Sequence, residues 1–180
     1  NNAVQSSKSG GPMAAAWAVL NYVGDEGYLE IARNKLAAVK KIADGIAHID
    51  GLRLITRPDM CLISFTSDEV NVFHIIDEMN QRGWYVQPSL SFDNSPAHIH
   101  LSVNASNVGW EDELLANLAE CVEIARKMPA GELVGFVKES LKGMDLSAIS
   151  ETDIQNLMAA AGVSGGALPS RMADINGVLD

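Results

Sequence analysis

Residues 61–83 read CLISFTSDEVNVFHIIDEMNQRG, a short apolar run followed by a longer amphipathic segment. The run Cys61-Leu62-Ile63-Ser64-Phe65 is typical of a strand. Thr66 and Glu69 have the spacing of a capping box, in which the threonine caps a helix and the glutamate reaches back to it. The predicted helix carries apolar residues at helical spacing and ends at Gly83. A strand that leads into a packed helix indicates an α/β domain.

Two helices and a strand are predicted upstream of this unit. Apolar residues recur at three- and four-residue steps from Leu29 to Ile49, which predicts a long helix packed on one face. The run Leu52-Arg53-Leu54-Ile55 follows as a short strand. An earlier helix over Met13–Leu20 is so rich in apolar residues that we expect it to be buried, and it should stop near Gly24. It has no strands of its own nearby, which is typical of a piece of a neighbouring domain.

Downstream, the pattern predicts two more strands and a helix. The strands are Trp84-Tyr85-Val86 and Ala97–Val103, and the helix runs from about Val108 to Lys127. Together these elements predict a two-layer α/β fold, with a small, mostly antiparallel sheet and helices on one face. Two shorter helices, about 132–142 and 151–161, are predicted after Pro129.

Composition limits the classes of function that the chain can have. Its 180 residues are 47% hydrophobic and 20% charged, which is ordinary for a globular protein. The net charge of −10, with no basic cluster larger than Lys40-Lys41, argues against nucleic acid and anionic membranes as partners. No apolar run is long enough to span a bilayer, and no metal-ligand spacing occurs. Cys61 and Cys121 are expected to be free thiols in a reducing compartment, so a cytoplasmic location is predicted.

The strand over Ala97–Val103 carries two of the four histidines. Alternation places His98 and His100 on one face and the apolar residues on the other. A histidine on the polar face of a strand is more often solvated or hydrogen-bonded than functional. We expect His48 and His74, which fall on predicted helices, to lie at the surface.

Several segments resemble a known family of enzymes, in order and in spacing. Residues 6–18 read SSKSGGPMAAAWA and are followed by GDEGY at 24–28. This pattern is similar to the junction between the large and small domains of fold-type-I decarboxylases that depend on pyridoxal phosphate (PLP). It most resembles the sphingosine-1-phosphate lyase family, near the tyrosine and glutamate decarboxylases. The other matching segments are RPD at 57–59, MNQRGW at 79–84, SPAHIHLSV at 95–103 and, weakly, RMADINGVLD at 171–180.

The resemblance implies the C-terminal small domain of the fold-type-I PLP-dependent transferases. Residues 1–24 would be the junction loop and an interdomain helix that belongs with a large domain. Residues 25–128 would form the small domain, and residues 129–180 a helical C-terminal extension. The implied partners are the N-terminal half of the same enzyme, a second subunit in a homodimer, and a small amino substrate.

The resemblance also implies where the cofactor lies. In the family, the junction loop reaches across a dimer interface towards the neighbour's PLP phosphate. Carried over, Ser7 would donate its hydroxyl to that phosphate, Lys8 would stand where the family has arginine, and Gly10-Gly11 would allow close approach of the backbone. Without the resemblance, residues 6–9 would be interpreted as a solvated linker.

No catalytic residue is assigned in this chain. The family's cofactor lysine follows a histidine, and no His-Lys pair occurs here. In the family, that lysine lies N-terminal to the segment that matches residues 6–11. The chain alone is therefore expected to be inactive. His100 matches the family's histidine on its strand, and Trp84 could line the substrate entrance. The absence of arginine between Arg82 and Arg126 argues weakly against a carboxylate clamp on this strand. The alternative function is a non-catalytic α/β module for dimerisation or regulation.

Overall fold

A computed structural model describes residues 9–128, 150, 152, 155, 156, 159 and 172–180. The predicted helices over 132–142 and 151–161, like Ser7 and Lys8, therefore lie outside the described residues or almost entirely so. The described elements, in chain order, are α1 (Gly10–His48), β1 (Arg53–Leu54), β2 (Leu62–Thr66), α2 (Val72–Gln81), β3 (Gln87–Ser89), β4 (His98–Ser102), a 3₁₀ turn (Ala105–Asn107), α3 (Glu111–Ala125) and α4 (Ala173–Leu179).

The four described strands form one antiparallel sheet in the order β1-β2-β4-β3. In its centre Ile63 pairs with Leu101 and Phe65 with Ile99, and these side chains are buried. Ser64 pairs with His100 on the opposite face, because successive side chains of a strand alternate between the two faces. The sheet therefore has one apolar face and one polar face.

The apolar face is covered by α1, α2 and α3. The second half of α1 buries Val39, Ile42 and Ile46, and its Gly45 lies so close to α3 that a β-carbon there would meet Leu115 at 2.3 Å. These helices and the sheet enclose a single apolar cluster, since buried residues from all of them pack together. The predicted two-layer α/β fold, with its small antiparallel sheet, is confirmed.

Helix α1 is broken at Gly24. That residue has φ 62° and ψ 177°, outside the helical region, so two helical segments meet there at a kink. This combination of angles is essentially restricted to glycine, because a β-carbon would clash with the backbone. The predicted stop near Gly24 is thus found as a break between two consecutive helical segments.

The first segment of α1 is exposed in this chain, so the expected burial of Met13–Leu20 is wrong for the chain by itself. Trp17 is 69% exposed and Tyr22 is 92% exposed, and Met13, Val19 and Leu20 are exposed as well. An apolar helix normally has to be covered, because exposed apolar surface is unfavourable in water. No described part of the chain packs over this segment.

The capping box predicted at Thr66 does not form. The Thr66 hydroxyl is buried and donates a hydrogen bond of 2.7 Å to the carbonyl oxygen of Ala97, so it ties the end of β2 to the loop before β4. Helix α2 begins six residues later, at Val72. Its cap is Asn71, whose side chain accepts from the amide of Phe73 at 2.9 Å.

The strand predicted at 84–86 is also displaced. Pairing begins at Gln87, and β3 runs to Ser89 along β4. Val86 is buried and Trp84 packs against the core, so the apolar pattern of 84–86 reflects packing rather than strand pairing. A surface position was expected for His74, but its Nε2 is buried and has no hydrogen-bond partner among the described residues. His48 is exposed, as expected.

Candidate cofactor and substrate site

The start of α1 carries its own cap. Its cap is Ser9, whose Oγ accepts from the amide of Gly11 at 3.4 Å, and its first turn carries no acidic side chain. Among the described residues, a β-carbon placed on Gly10 would meet no atom within 4 Å, and one on Gly11 would meet only the Ser9 Oγ at 3.7 Å. Among the described residues, only the Ser9 side chain therefore lies against this turn.

The start of a helix is the kind of place where proteins bind anions. Free amide groups point out of the first turn of a helix, and the helix dipole adds partial positive charge there. Helix α3 differs, because Glu111, Asp112 and Glu113 already fill its first turn with negative charge. At the start of α1, however, the amide of Gly11 donates to Ser9 and Pro12 has no N–H, so a phosphate there stays a prediction. Ser7 and Lys8, which precede them, stay predictions because they lie outside the described residues.

A second candidate site is a cavity of about 140 Å³ beside the end of β4. Trp84 and His100, the two residues predicted near the substrate, both line it. Trp84 packs edge to face against Trp110, with ring centroids 6.4 Å apart, so an aromatic wall forms one side. Gly10 and Gly11 do not line this cavity. The structure thus brings Trp84 and His100 together.

The two histidines of β4 have different surroundings. His98 Nδ1 lies 2.9 Å from the carbonyl oxygen of Pro96, so Nδ1 carries the proton and Nε2 is left as an acceptor when the ring is neutral. His100 Nε2 lies 3.5 Å from the hydroxyl of Ser102, and only His100 lines the cavity. Because both side chains are half-buried on the polar face of the sheet, the predicted alternation is correct.

Sequence reasoning missed several residues of the cavity. Trp110, Gln87 and Ser102 contribute to its lining. Trp110 comes directly before the acidic first turn of α3, and a large aromatic side chain at a helix start is a signal that could have drawn attention to it. Gln87 is brought beside His100 by the pairing of β3 with β4, which no local pattern predicts.

The nearby thiol and guanidinium are structural rather than reactive. Burial raises the pKa of the Cys121 thiol to about 11, so it stays protonated at neutral pH and is a poor nucleophile. Arg82 Nη1 donates to Glu120 at 2.7 Å and to the side-chain oxygen of Asn117 at 3.3 Å. The hydrogen bond to Glu120 raises the pKa of Arg82 above its usual value. Arg82 is thus already paired with α3.

Two further findings concern the described part of the chain. No group of three or more histidine, cysteine or acidic side chains there is arranged to hold a metal ion. No helix there combines the length and the apolar character that crossing a membrane requires.

The chain is similar in sequence or in fold to several known lyases and decarboxylases. The sphingosine-1-phosphate lyase of Arabidopsis thaliana is 31% identical over 132 residues, which are 73% of this chain and 23% of that protein. The structure of the Burkholderia pseudomallei sphingosine-1-phosphate lyase matches with a TM-score of 0.62 and 29% identity, over 77% of this chain and 30% of that one. Glutamate decarboxylase of Lactobacillus brevis shares the fold, with a TM-score of 0.63 at 15% identity over 71% of this chain and 31% of that one.

A family profile matches the end of the chain. Residues 132–180 match the family described as "Pyridoxal-dependent enzyme, C-terminal putative HTH domain". The fold and these matches define a class, the C-terminal domain of fold-type-I PLP-dependent enzymes. Within that class, the chain belongs to the group II family of lyases and decarboxylases, which use PLP as cofactor. It spans about a quarter of the length of the curated relatives that it matches.

Proposed function

We propose that this chain completes a PLP-dependent lyase that cleaves a bond at Cα of an amino substrate. The reaction would be carbon–carbon cleavage of a phosphorylated long-chain amino alcohol, or α-decarboxylation of an amino acid. The observation that carries the proposal is 31% identity to a sphingosine-1-phosphate lyase over 73% of the chain. The two sites described above are the parts of that enzyme that this chain would supply.

The start of α1 would hold the cofactor phosphate of a neighbouring subunit. When bound, PLP supplies an electron sink for the cleaved bond. Gly10 and Gly11 would allow close approach of the backbone to the phosphate, the Ser7 hydroxyl would donate to it, and Lys8 would contribute a positive charge. A lysine gives a point charge instead of the planar fork of the family's arginine, so its contact would be less directional.

The cavity beside β4 would receive part of the substrate near its entrance. Its aromatic wall of Trp84 and Trp110 suits an alkyl chain, while His100 offers a polar tip. No arginine lies among the residues that line it, which supports an amine without a second carboxylate over a dicarboxylic amino acid.

The phosphate role predicts that Ser7→Ala weakens retention of PLP by the intact enzyme. Loss of a hydrogen bond to a charged group should raise the dissociation constant of PLP about 10-fold. The constant can be measured by titrating the absorbance of bound cofactor. Ser6→Ala is the matched control and should leave it unchanged, and Lys8→Arg should bind PLP at least as tightly. Equal affinity in Ser7→Ala and the unsubstituted enzyme would rule out the role.

The substrate role predicts that His100→Ala lowers kcat/KM of the intact enzyme about 10-fold, the effect of losing one polar contact to the substrate. His98→Ala is the matched control, because His98 lies on the same strand but not in the cavity. Its kcat/KM should change less than 3-fold by the same reasoning. If both variants lose activity equally, the effect comes from the strand and the cavity has no substrate role.

The exposed first segment of α1 would be covered by the N-terminal half of the enzyme and by the second subunit of a homodimer. The same exposed segment suits the alternative function, a non-catalytic module for dimerisation or regulation. The coding sequence upstream of Asn1 separates the two functions, since only the enzyme requires a large α/β domain with a His-Lys pair. The domain boundaries at 24 and 128, and a cytoplasmic location, stay predictions.

A further inference from the structure

The C-terminal extension belongs to a family whose name suggests a helix-turn-helix, the fold of many DNA-binding domains. Its charge is wrong for that use. Residues 132–180 contain seven acidic and three basic side chains, a net charge of −4. Because the phosphate backbone repels such a surface, DNA binding would lack its main source of affinity.

The end of the extension is instead bound to the small domain through Asp77. This residue of α2 is 1% exposed. Its Oδ1 accepts from the amide of Met172 and its Oδ2 from the amide of Ala173, each at 2.8 Å. One carboxylate thus satisfies two free amides at the start of α4, and Ala173 is itself buried.

The buried carboxylate of Asp77 requires hydrogen-bond donors. Burying a charged group is costly unless it is hydrogen-bonded, and the two amide bonds are of the strong, charge-assisted kind. Both bonds come from the last nine residues of the chain. Asp77 therefore fits its surroundings only while α4 is docked on α2.

The other end of α4 holds a loop. The side chain of Asp180 accepts a hydrogen bond from the amide of Ser91, in the connection between β3 and β4. That connection leads through Pro96 to His98 and β4, and a tight turn at Phe92–Ser95 shapes it. Residues 172–180 thus link α2 to the loop that precedes β4.

We propose that residues 172–180, the C-terminal strap, are an intramolecular brace that docks the extension on α2 and fixes the connection between β3 and β4. In this role the extension acts on its own small domain and not on DNA. The strap does not depend on the proposed enzymatic function, because the contacts that define it join described residues of one chain.

Amide hydrogen exchange of the intact protein tests the brace. In Asp77→Ala, the amides of 173–180 and of Ser91 should exchange at least about 10-fold faster, because both ends of the strap are released. Asp180→Ala, an exposed change that leaves the core intact, should accelerate exchange at Ser91 alone. Asp59→Ala, at an exposed aspartate between β1 and β2, is the control and should change none of these rates.

Two results would overturn the proposal. One is unchanged exchange at Ser91 in Asp180→Ala, which would show that the strap does not hold the loop. This result can be obtained even if the Asp77→Ala variant does not fold. The other is binding of a fluorescent random-sequence DNA duplex at physiological salt that is lost when residues 132–180 are deleted, since that shows a DNA-binding extension. Failure of PLP binding or of catalysis would leave these readouts unaffected.

Discussion

Phe65→Ala is expected to lower the free energy of unfolding by about 3–5 kcal/mol, the range for removing a buried phenylalanine side chain. Phe65 is 1% exposed, and its strand neighbour Ile99 is fully buried on the same face of the sheet. The loss has two parts, the apolar contacts of the removed ring and the cavity that it leaves. The cavity persists because the helices and the sheet restrain the surrounding side chains. Urea denaturation followed by circular dichroism measures the change.

Leu62→Ala is the matched control for that experiment. Leu62 lies on the same strand but on the opposite face, and it is 52% exposed. Its replacement should change the free energy of unfolding by no more than about 1 kcal/mol. Equal losses at the two positions would mean that the faces of β2 are assigned wrongly, and with them the face that carries His100.

The 180-residue chain alone is expected to have no activity and to retain no PLP. In the proposed function, the cofactor lysine would lie in the N-terminal half of the enzyme, and the start of α1 would contact only the phosphate of a neighbour's cofactor. Gel filtration of the chain after incubation with PLP, followed by an absorbance spectrum, measures retention. Turnover of a phosphorylated long-chain amine and of aromatic amino acids measures activity.

Co-expression with the N-terminal half is the control, and it should restore both properties. The expected change is from no detectable turnover to the rate of the intact enzyme. Stable retention of PLP by the chain alone, bound to one of its lysines through a linkage that borohydride reduction makes permanent, would contradict the proposed division of roles.

Local patterns predicted the elements whose causes are local. The long amphipathic stripe over Leu29–Ile49, the strand over Cys61–Phe65 and the alternation around His100 all follow from periodicity, and each is present. The acidic turn at Glu111 likewise places the start of α3, because negative charge stabilises a helix N-terminus. These residues satisfy their requirements within one element and its nearest neighbour.

Patterns failed where a distant partner decides the structure. Thr66 has the sequence of a helix cap, but the carbonyl of Ala97, 31 residues away, takes its hydroxyl. The burial of Asp77 depends on amides 95 and 96 residues along the chain. The cavity depends in the same way on Gln87 and Trp110, which the sheet and α3 bring to His100. The exposed Trp17 shows the same limit, because its apolar surroundings imply a cover that the described chain does not contain.

A small change of angle at the break at Gly24 displaces the far end of the first segment of α1 by a larger distance. Gly10 lies fourteen residues before the break, about 21 Å away at the rise of an α-helix. A swing of about 10° at Gly24 therefore carries the helix tip sideways by roughly 4 Å, more than the length of a hydrogen bond. The backbone angles of Gly24 thus determine where the start of α1 lies. A substitution of Gly24 would displace that start without changing any of its own residues.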